Sequence, residues 1–184
     1  MPQIPEKIEK EDGTIEWILK GKLHCEDGPA AIRPDGSQGW FLNGEQHRLD
    51  GPAVELADGT IEWWANGKLH REDGPAIIEA YGTEEWYVSG QLHREDGPAV
   101  EREDGALQWW SHGVRHRGDG PAVIEQHEMQ QWWINGKLHR EDGPAIVYED
   151  DTQEWYLLGM LVTQDVVMDA KNRADFMEMQ INPI

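Results

Sequence analysis

The sequence predicts an all-β repeat protein: a single elongated antiparallel β-meander with about one hairpin per 23-residue copy, followed by a C-terminal α-helical cap. Three observations predict this fold. Tryptophan recurs every 23 residues without an insertion, at Trp17, Trp40, Trp63, Trp86, Trp109, Trp132 and Trp155. A glycine follows each tryptophan after four residues, and a histidine follows the first six after seven residues. No stretch of the repeat shows the apolar period of an amphipathic helix.

The third copy shows the local structure most clearly. Residues 60–65 are β-branched and aromatic, which is the composition of a strand. Asn66-Gly67 predicts a two-residue hairpin turn, because both of its positions require positive φ. Residues 72–75 must bend the returning chain, since proline cannot donate to a sheet. Residues 76–79 favour an extended strand, and Tyr81-Gly82 then turns the chain into the next copy.

The segment His70-Arg71-Glu72-Asp73-Gly74-Pro75-Ala76 marks the bend, and its Asp, Gly, Pro and Ala recur in all six full copies. In the seventh copy Val162 replaces the histidine. We therefore expect a β-repeat array over residues 1–162, with six full copies and a truncated seventh, and a helical cap over 163–184. The residues that we expect to maintain the repeat are Trp63, Gly67, His70, Asp73, Gly74 and Pro75.

Two aromatic ladders are expected to stabilise the sheet, because adjacent strand residues point to opposite faces. The recurring tryptophan forms one ladder, and we expect its face to be the better buried. The residues that follow each tryptophan form the second ladder: Ile18, Phe41, Trp64, Tyr87, Trp110, Trp133 and Tyr156.

The last 22 residues break the repeat and favour a helix, with N-cap candidates at residues 163–165. Apolar residues then recur near helical spacing: Val166, Val167, Ala170, Ala174, Phe176 and Met177. A helix here would cover the last strand and hide a sheet edge. The alternative is a partner-binding or dimerising helix.

Charge and cysteine content exclude several classes of function. The chain has 36 acidic and 16 basic side chains, a net charge of −20. This balance argues against direct binding of nucleic acid or of an anionic membrane. The single cysteine, Cys25, excludes an internal disulfide and a multi-thiolate metal site, and we expect no cofactor. Without an apolar leader or span, a cytoplasmic protein is expected.

The repeat resembles a known family. The 23-residue period, the aromatic-x-x-Asn-Gly turn, the histidine three residues after the glycine and the Asp-Gly between copies are similar to the MORN repeat. The bacterial and phage variant, whose copies read near His-Arg-Glu-Asp-Gly-Pro-Ala, resembles this chain more closely. The resemblance covers about 155 of 184 residues. It implies a binding scaffold, and some members of the variant are described as antitoxin-like. The membrane role of basic or apolar MORN arrays does not carry over to an acidic chain.

The candidate functional residues fall into three groups, and no catalytic or metal-binding residue is expected. The recurring His70 and Asp73 are interpreted as structural, with Asp accepting bonds from turn amides and His donating to a neighbour, because six equivalent sites do not suit an enzyme. The second group lies in the fifth copy and the turn after it: the off-pattern His112 and Arg115, then Arg117 beside the off-pattern Gly118, and His127. The acidic candidates, expected to be exposed, are Glu84, Glu85, Glu101 and Glu103.

These features favour a non-enzymatic acidic protein that binds a basic surface of a partner protein, as an inhibitor or an antitoxin-like or anti-defence factor. The partner would be a nucleic-acid-handling enzyme or an immune effector. The main alternative is a DNA mimic that occupies the nucleic-acid groove of a nuclease. A small-ligand binder with exposed aromatics and an enzyme using His112, Arg115 and Arg117 are less favoured. The acidic charge is also explained by solubility alone. A homodimer through the terminal helix or a sheet edge is a further expectation.

Overall fold

The computed structural model describes residues 4–181. The chain forms two compact units, of which one ends at Leu92 and the other begins at His93. Within each unit, the strands of a main sheet are antiparallel and follow one another in chain order. The second unit also carries two C-terminal helices. The predicted antiparallel repeat meander with helices at its C-terminal end is therefore confirmed.

The first unit has a main sheet and a series of short hairpins. Its main-sheet strands, in order, are Glu6–Glu9, Ile15–Leu19, Ala31–Ile32, Gln38–Gly39, Val54–Glu55, Ile61–Glu62, Ile77–Ile78 and Glu84–Glu85. The hairpins pair Phe41–Leu42 with Glu45–Gln46, Trp64–Ala65 with Lys68–Leu69, and Tyr87–Val88 with Gln91–Leu92. Lys22–Leu23 pairs in the same way with the second half of Ile15–Leu19.

The second unit repeats this arrangement. Its main-sheet strands are Val100–Glu101, Leu107–Gln108, Val123–Ile124, Gln130–Gln131, Ile146–Val147, Gln153–Leu157 and Met160–Val162. Its two-residue hairpins pair Trp110–Ser111 with Val114–Arg115, and Trp133–Ile134 with Lys137–Leu138. The helices span Gln164–Met168 and Ala170–Ile181.

The recurring tryptophan interrupts the strand that the sequence predicts over residues 60–65. The backbone N–H of Trp63 donates to the carbonyl of Ala76, whereas the carbonyl of Trp63 accepts the N–H of His70. The chain therefore changes partner at Trp63, from the main sheet to the hairpin. This change of partner divides one expected strand into Ile61–Glu62 and Trp64–Ala65.

The turns have the backbone conformations that their residues favour. Asn66 and Gly67 have φ of 51° and 70°, as a two-residue hairpin of primed type requires. In the turns between copies, an aspartate caps the backbone, since the Asp58 carboxylate accepts the N–H of Thr60 at 2.8 Å. Where the glycine of this turn is lost, Glu128 takes a positive φ of 62° in its place. The hairpin and turn predictions are therefore confirmed.

Alanine, and not tryptophan, forms the buried centre of each copy. The residue after the proline is fully buried in all six full copies: Ala30, Ala53, Ala76, Ala99, Ala122 and Ala145. Trp63 and Trp64, which belong to the two aromatic ladders, are both half-buried. The expectation that the tryptophan face would be better buried is not supported, because small side chains hold the centre of the copy.

The C-terminal segment forms two helices instead of the single helix that the spacing predicts. Asp169 separates them with extended backbone, and its carboxylate accepts the N–H groups of Lys171 and Asn172 at 2.9 Å. Asp169 thus caps the second helix and ends the first. The first helix packs on the strand Gln153–Leu157 and buries Val167 completely.

Candidate functional site

The same geometry recurs in copies two to six and fixes the arginine of each copy in its own loop. In the third copy, Arg71 Nε donates to the Asp73 carboxylate at 2.8 Å, and Nη1 donates to the carbonyl of Pro75 at 3.1 Å. The guanidinium carbon lies 4.0 Å from the ring centre of Trp63. Equivalent bonds to Asp and Pro hold Arg48, Arg94, Arg117 and Arg140. The sequence expectation that this Asp binds turn amides was wrong, because its partner is the arginine.

The Arg71 guanidinium also explains why the loop has a glycine at position 74. A Cβ atom built on Gly74 would lie 2.9 Å from the guanidinium carbon of Arg71, closer than side chains tolerate. In the first copy Cys25 stands in place of the arginine, and a Cβ on Gly28 would meet nothing within 4 Å. The glycine therefore makes room for the arginine that stacks on the tryptophan.

The arginine–aspartate contacts predict a loss of stability in acid. The hydrogen bond and charge of Arg71 lower the pKa of Asp73 below its ordinary value of 3.8. A lowered pKa means that the ionised carboxylate stabilises the fold above the ordinary value, and that this stabilisation disappears as the pH falls through the lowered value. We expect the urea midpoint of Asp73→Asn to fall less than that of the unsubstituted protein on acidification.

Asp27→Asn is the matched control for this pH experiment, because Cys25 replaces the arginine in that copy. Its urea midpoint should fall on acidification as much as that of the unsubstituted protein. Parallel curves for Asp73→Asn and the unsubstituted protein would contradict the proposed contribution.

The recurring histidine joins each copy to the next. His70 Nδ1 accepts the backbone N–H of Ser89, which opens the turn of the following copy, at 3.1 Å. All six histidines make this bond to the residue 19 positions later. The sequence predicted a structural histidine, but with the histidine as donor. The structure shows Nδ1 as the acceptor, so this nitrogen carries no proton in the bonded state.

Carboxylates accumulate in the three inter-copy turns of the second unit, which we call the acidic turn row. The row consists of Glu103, Asp104, Glu125, Glu128, Glu149, Asp150 and Asp151, and the same turns hold one cation, Arg102. Within residues 4–181, no ion pair engages any carboxylate of the row. The row therefore presents uncompensated negative charge to solvent.

A groove of about 1040 Å³, open to solvent, runs across the acidic turn row. Its walls are formed by Asp104, Glu125, Gln126, His127, Met129, Tyr148, Glu149, Asp150, Thr152 and Glu154. Desolvation raises the pKa of Tyr148, and its hydrogen bond to Glu154 and the nearby charge of Asp150 raise it further. The phenol therefore stays neutral at physiological pH. A groove of carboxylates and neutral hydroxyl groups is suited to lysine and arginine side chains.

The four acidic candidates from the sequence are not equally exposed to solvent. Glu84 and Glu85 are half-buried in the main sheet, and Glu85 accepts the hydroxyl of Tyr87 at 2.9 Å. Burial and the charge of Glu85 raise the pKa of Tyr87 to about 12. Glu101 is half-buried and bonds Arg94 at 2.6 Å. The expectation that these three side chains are exposed was wrong, because all three lie in strands of the main sheets and are half-buried. Glu103 is exposed and belongs to the acidic turn row.

The off-pattern candidates of the fifth copy are divided between different surroundings. The ring centre of the exposed His112 lies 4.0 Å from that of His93. Arg115 lies between Trp110 and Trp133, with its guanidinium carbon 5.0 and 5.4 Å from their ring centres. The structure therefore places His112 beside another histidine, and Arg115 against aromatic faces.

Arg117 and His127 also take separate positions. Arg117 is the loop arginine of its copy, 3.9 Å from the ring centre of Trp109, and it bonds Asp119 and Pro121. A concavity of about 770 Å³ contains both Arg117 and His112. His127 lies instead in the groove of the acidic turn row. Two of the four candidates thus share a concavity, and Arg117 has a structural role there.

The groove residues Glu125, Tyr148, Glu149 and Glu154 were not singled out from the sequence. A signal for them was present, because the two turns at 125–128 and 148–151 have lost the glycine and gained carboxylates. A fixed period also places these turns at corresponding positions of successive copies.

Three further observations concern cofactors, membranes and relatives. Among residues 4–181, no three His, Cys, Asp or Glu side chains are grouped so as to hold a metal ion. None of the helices in that part of the chain is long and apolar enough to cross a bilayer. No family model and no curated protein matches the chain.

Proposed function

We propose that this chain is a non-enzymatic binding protein whose acidic turn row contacts a basic surface of a partner protein and blocks it. The role would be that of an inhibitor, an antitoxin-like protein or an anti-defence factor. The resemblance of its copies to MORN repeats, which serve as binding scaffolds, supports this proposal. The partner class that suits the row is a protein with clustered lysine and arginine side chains.

The observation that carries the proposal is that several lysine and arginine side chains bind acceptors within the chain itself. Five loop arginines are committed to an aspartate and a proline carbonyl of their own copies. Lys10 pairs with Glu16, and Arg173 contacts Glu141. These are seven of the sixteen lysines and arginines, and within residues 4–181 no ion pair neutralises a carboxylate of the acidic turn row. Uncompensated charge of this kind accelerates association with an oppositely charged surface.

The spacing of the row also suits a macromolecular partner. Two strands per copy, each about 4.8 Å apart, place successive turns about 10 Å from one another. Three turns therefore present carboxylates over about 20 Å, which exceeds the size of a single amino-acid side chain. Their backbone is fixed by turn bonds such as that from the Thr152 N–H to Asp150 at 3.0 Å. A partner thus meets a preorganised surface, which reduces the entropy lost on binding.

Neutralising the row should weaken the partner's binding by about tenfold or more, because its cations lose their opposing charges. The variant combines Glu103→Gln, Glu128→Gln, Glu149→Gln and Asp151→Asn, all at exposed positions. The tagged protein is used to capture partners from host-cell extract at low and high salt. Captured proteins are identified by mass spectrometry, and their affinities are then measured with purified components.

The matched control combines Glu11→Gln, Glu45→Gln, Glu72→Gln and Glu95→Gln, which are exposed and lie outside the row. It changes the net charge by the same amount and should retain the original affinity. Equal weakening in both variants would assign the effect to overall charge, and an affinity insensitive to salt would contradict the electrostatic basis. Competition between the protein and duplex DNA for the partner would identify a DNA mimic.

A further inference from the structure

The first and last strands of the main sheets differ in chemical character. The strand Glu6–Glu9 is exposed at all four residues and carries Glu6, Lys7 and Glu9. Charges on an edge strand are a common protection against pairing with other chains. The strand Met160–Val162 ends the sheet of the second unit, and it contains neither a charge nor a proline. The second edge therefore lacks the protection that the first one has.

The backbone of Leu161 is directed away from its hairpin. Leu161 faces Tyr156 two residues from the turn, at a position where the N–H and C=O groups of an antiparallel hairpin point outward. In the preceding copy, the equivalent carbonyl of Leu138 accepts the N–H of Gly159 at 2.8 Å. Helices follow the seventh copy directly, and none of the hydrogen bonds found within residues 4–181 reaches the Leu161 carbonyl. The inter-copy ladder thus ends with an open acceptor.

The side chains of this edge are apolar and accessible. Leu161 is 66% exposed and Met160 is 37% exposed. The first helix packs on the neighbouring strand Gln153–Leu157. In the second helix, Arg173 donates a hydrogen bond to the carbonyl of Glu141. The C-terminal helices therefore pack elsewhere and leave Leu161 uncovered, which differs from the complete end cap that the sequence suggests.

We propose that a second copy of this chain pairs with the strand Met160–Val162, antiparallel and about a two-fold axis at Leu161. Each Leu161 N–H then donates to the Leu161 carbonyl of the other copy. The second copy is the occupant that fits, because its own strand offers the same donor and acceptor in the reverse direction and brings no charge to the contact. The pairing also continues the antiparallel order of the sheet.

This dimer responds to salt in the opposite sense to partner binding. Three paired residues form a small interface, and two chains of net charge −20 repel each other. Added salt screens that repulsion and strengthens the dimer, whereas it weakens binding of a basic partner. The inference does not depend on the proposed function, and the two can fail separately.

The test measures the dimerisation constant of the full chain by sedimentation equilibrium over a range of protein and salt concentrations. Leu161→Lys should weaken the dimer by about tenfold or more, since it places two like charges opposite each other at the axis. The same substitution makes the chain less negative, so a general charge effect would strengthen the dimer. Leu49→Lys is the matched control, because Leu49 is 86% exposed and lies in a loop of the first unit.

A second measurement follows the backbone directly. Hydrogen exchange at the Leu161 amide should slow as the dimer forms, and circular dichroism establishes that each variant is folded. An unsubstituted protein that stays monomeric at every concentration and salt would overturn the proposal. Equal weakening by Leu49→Lys, or open-ended oligomers in place of a closed dimer, would overturn it as well.

Discussion

Replacing Trp109 with alanine is expected to destabilise the second unit by about 3 kcal/mol, at the lower end of the range for a large aromatic residue because the indole is half-buried. The indole is the surface on which the Arg117 guanidinium stacks at 3.9 Å. Its loss therefore removes packing and a cation–π contact of about 0.5 to 1 kcal/mol together. The effect is measured as the change in the free energy of unfolding in urea, followed by circular dichroism.

Trp109→Phe is the matched variant for this experiment. Phenylalanine keeps an aromatic face under Arg117 but fills less volume, so we expect a loss of about 1 kcal/mol. Arg117→Met separates the two contributions further, because it keeps the apolar stem of the side chain and removes the guanidinium. If Trp109→Ala proved as stable as Trp109→Phe, the stacked tryptophan would not be the stabilising element that the geometry indicates.

Alanine at Gly74 should destabilise the first unit by about 1 to 3 kcal/mol, the usual cost of crowding a packed site. Its Cβ would lie 2.9 Å from the guanidinium carbon of Arg71, which is held by Trp63, Asp73 and the Pro75 carbonyl. The arginine would have to leave these contacts. The measurement is again the free energy of unfolding in urea.

The chain supplies its own control for the glycine substitution. Gly28 is the equivalent glycine of the first copy, and a Cβ there would meet nothing within 4 Å. Its φ lies outside the left-handed region, so alanine fits there without strain. Gly28→Ala should therefore stabilise the chain by about 0.4 to 1 kcal/mol, because it lowers the conformational entropy of the unfolded state. Equal effects at Gly28 and Gly74 would show that the arginine does not determine the need for glycine.

The turns and the period could be predicted from the sequence because they depend on local chemistry. Asn66-Gly67 requires positive φ wherever it occurs in a hairpin, and the Asp58 cap involves a residue only two positions away. The strand break at Trp63 could not be predicted in this way. It arises because the N–H of Trp63 donates to the carbonyl of Ala76, whereas its carbonyl accepts the N–H of His70, so one residue pairs with two different segments.

The contacts of the loop arginine also could not be predicted from the residues next to it in the sequence. Arg71 and Trp63 are eight residues apart and meet only because the hairpin between them closes. The sequence nevertheless contains a trace of the contact, since the copy with Cys25 in place of arginine keeps its glycine without needing it. The acidic candidates Glu85 and Glu101 were misjudged for a related reason. Both carboxylates were expected to be exposed, whereas Glu85 accepts a hydrogen bond from Tyr87 of the adjoining hairpin and Glu101 accepts one from the loop arginine Arg94.

The histidine bond has an evolutionary consequence. Because His70 reaches a residue 19 positions ahead, and the other histidines do the same, each copy requires only the neighbour that follows it. Duplication or deletion of one whole 23-residue segment in the gene would preserve every such bond. An insertion that is not a whole number of copies would misalign the histidine with its turn. The length of the array can therefore change during evolution in whole copies without a new fold.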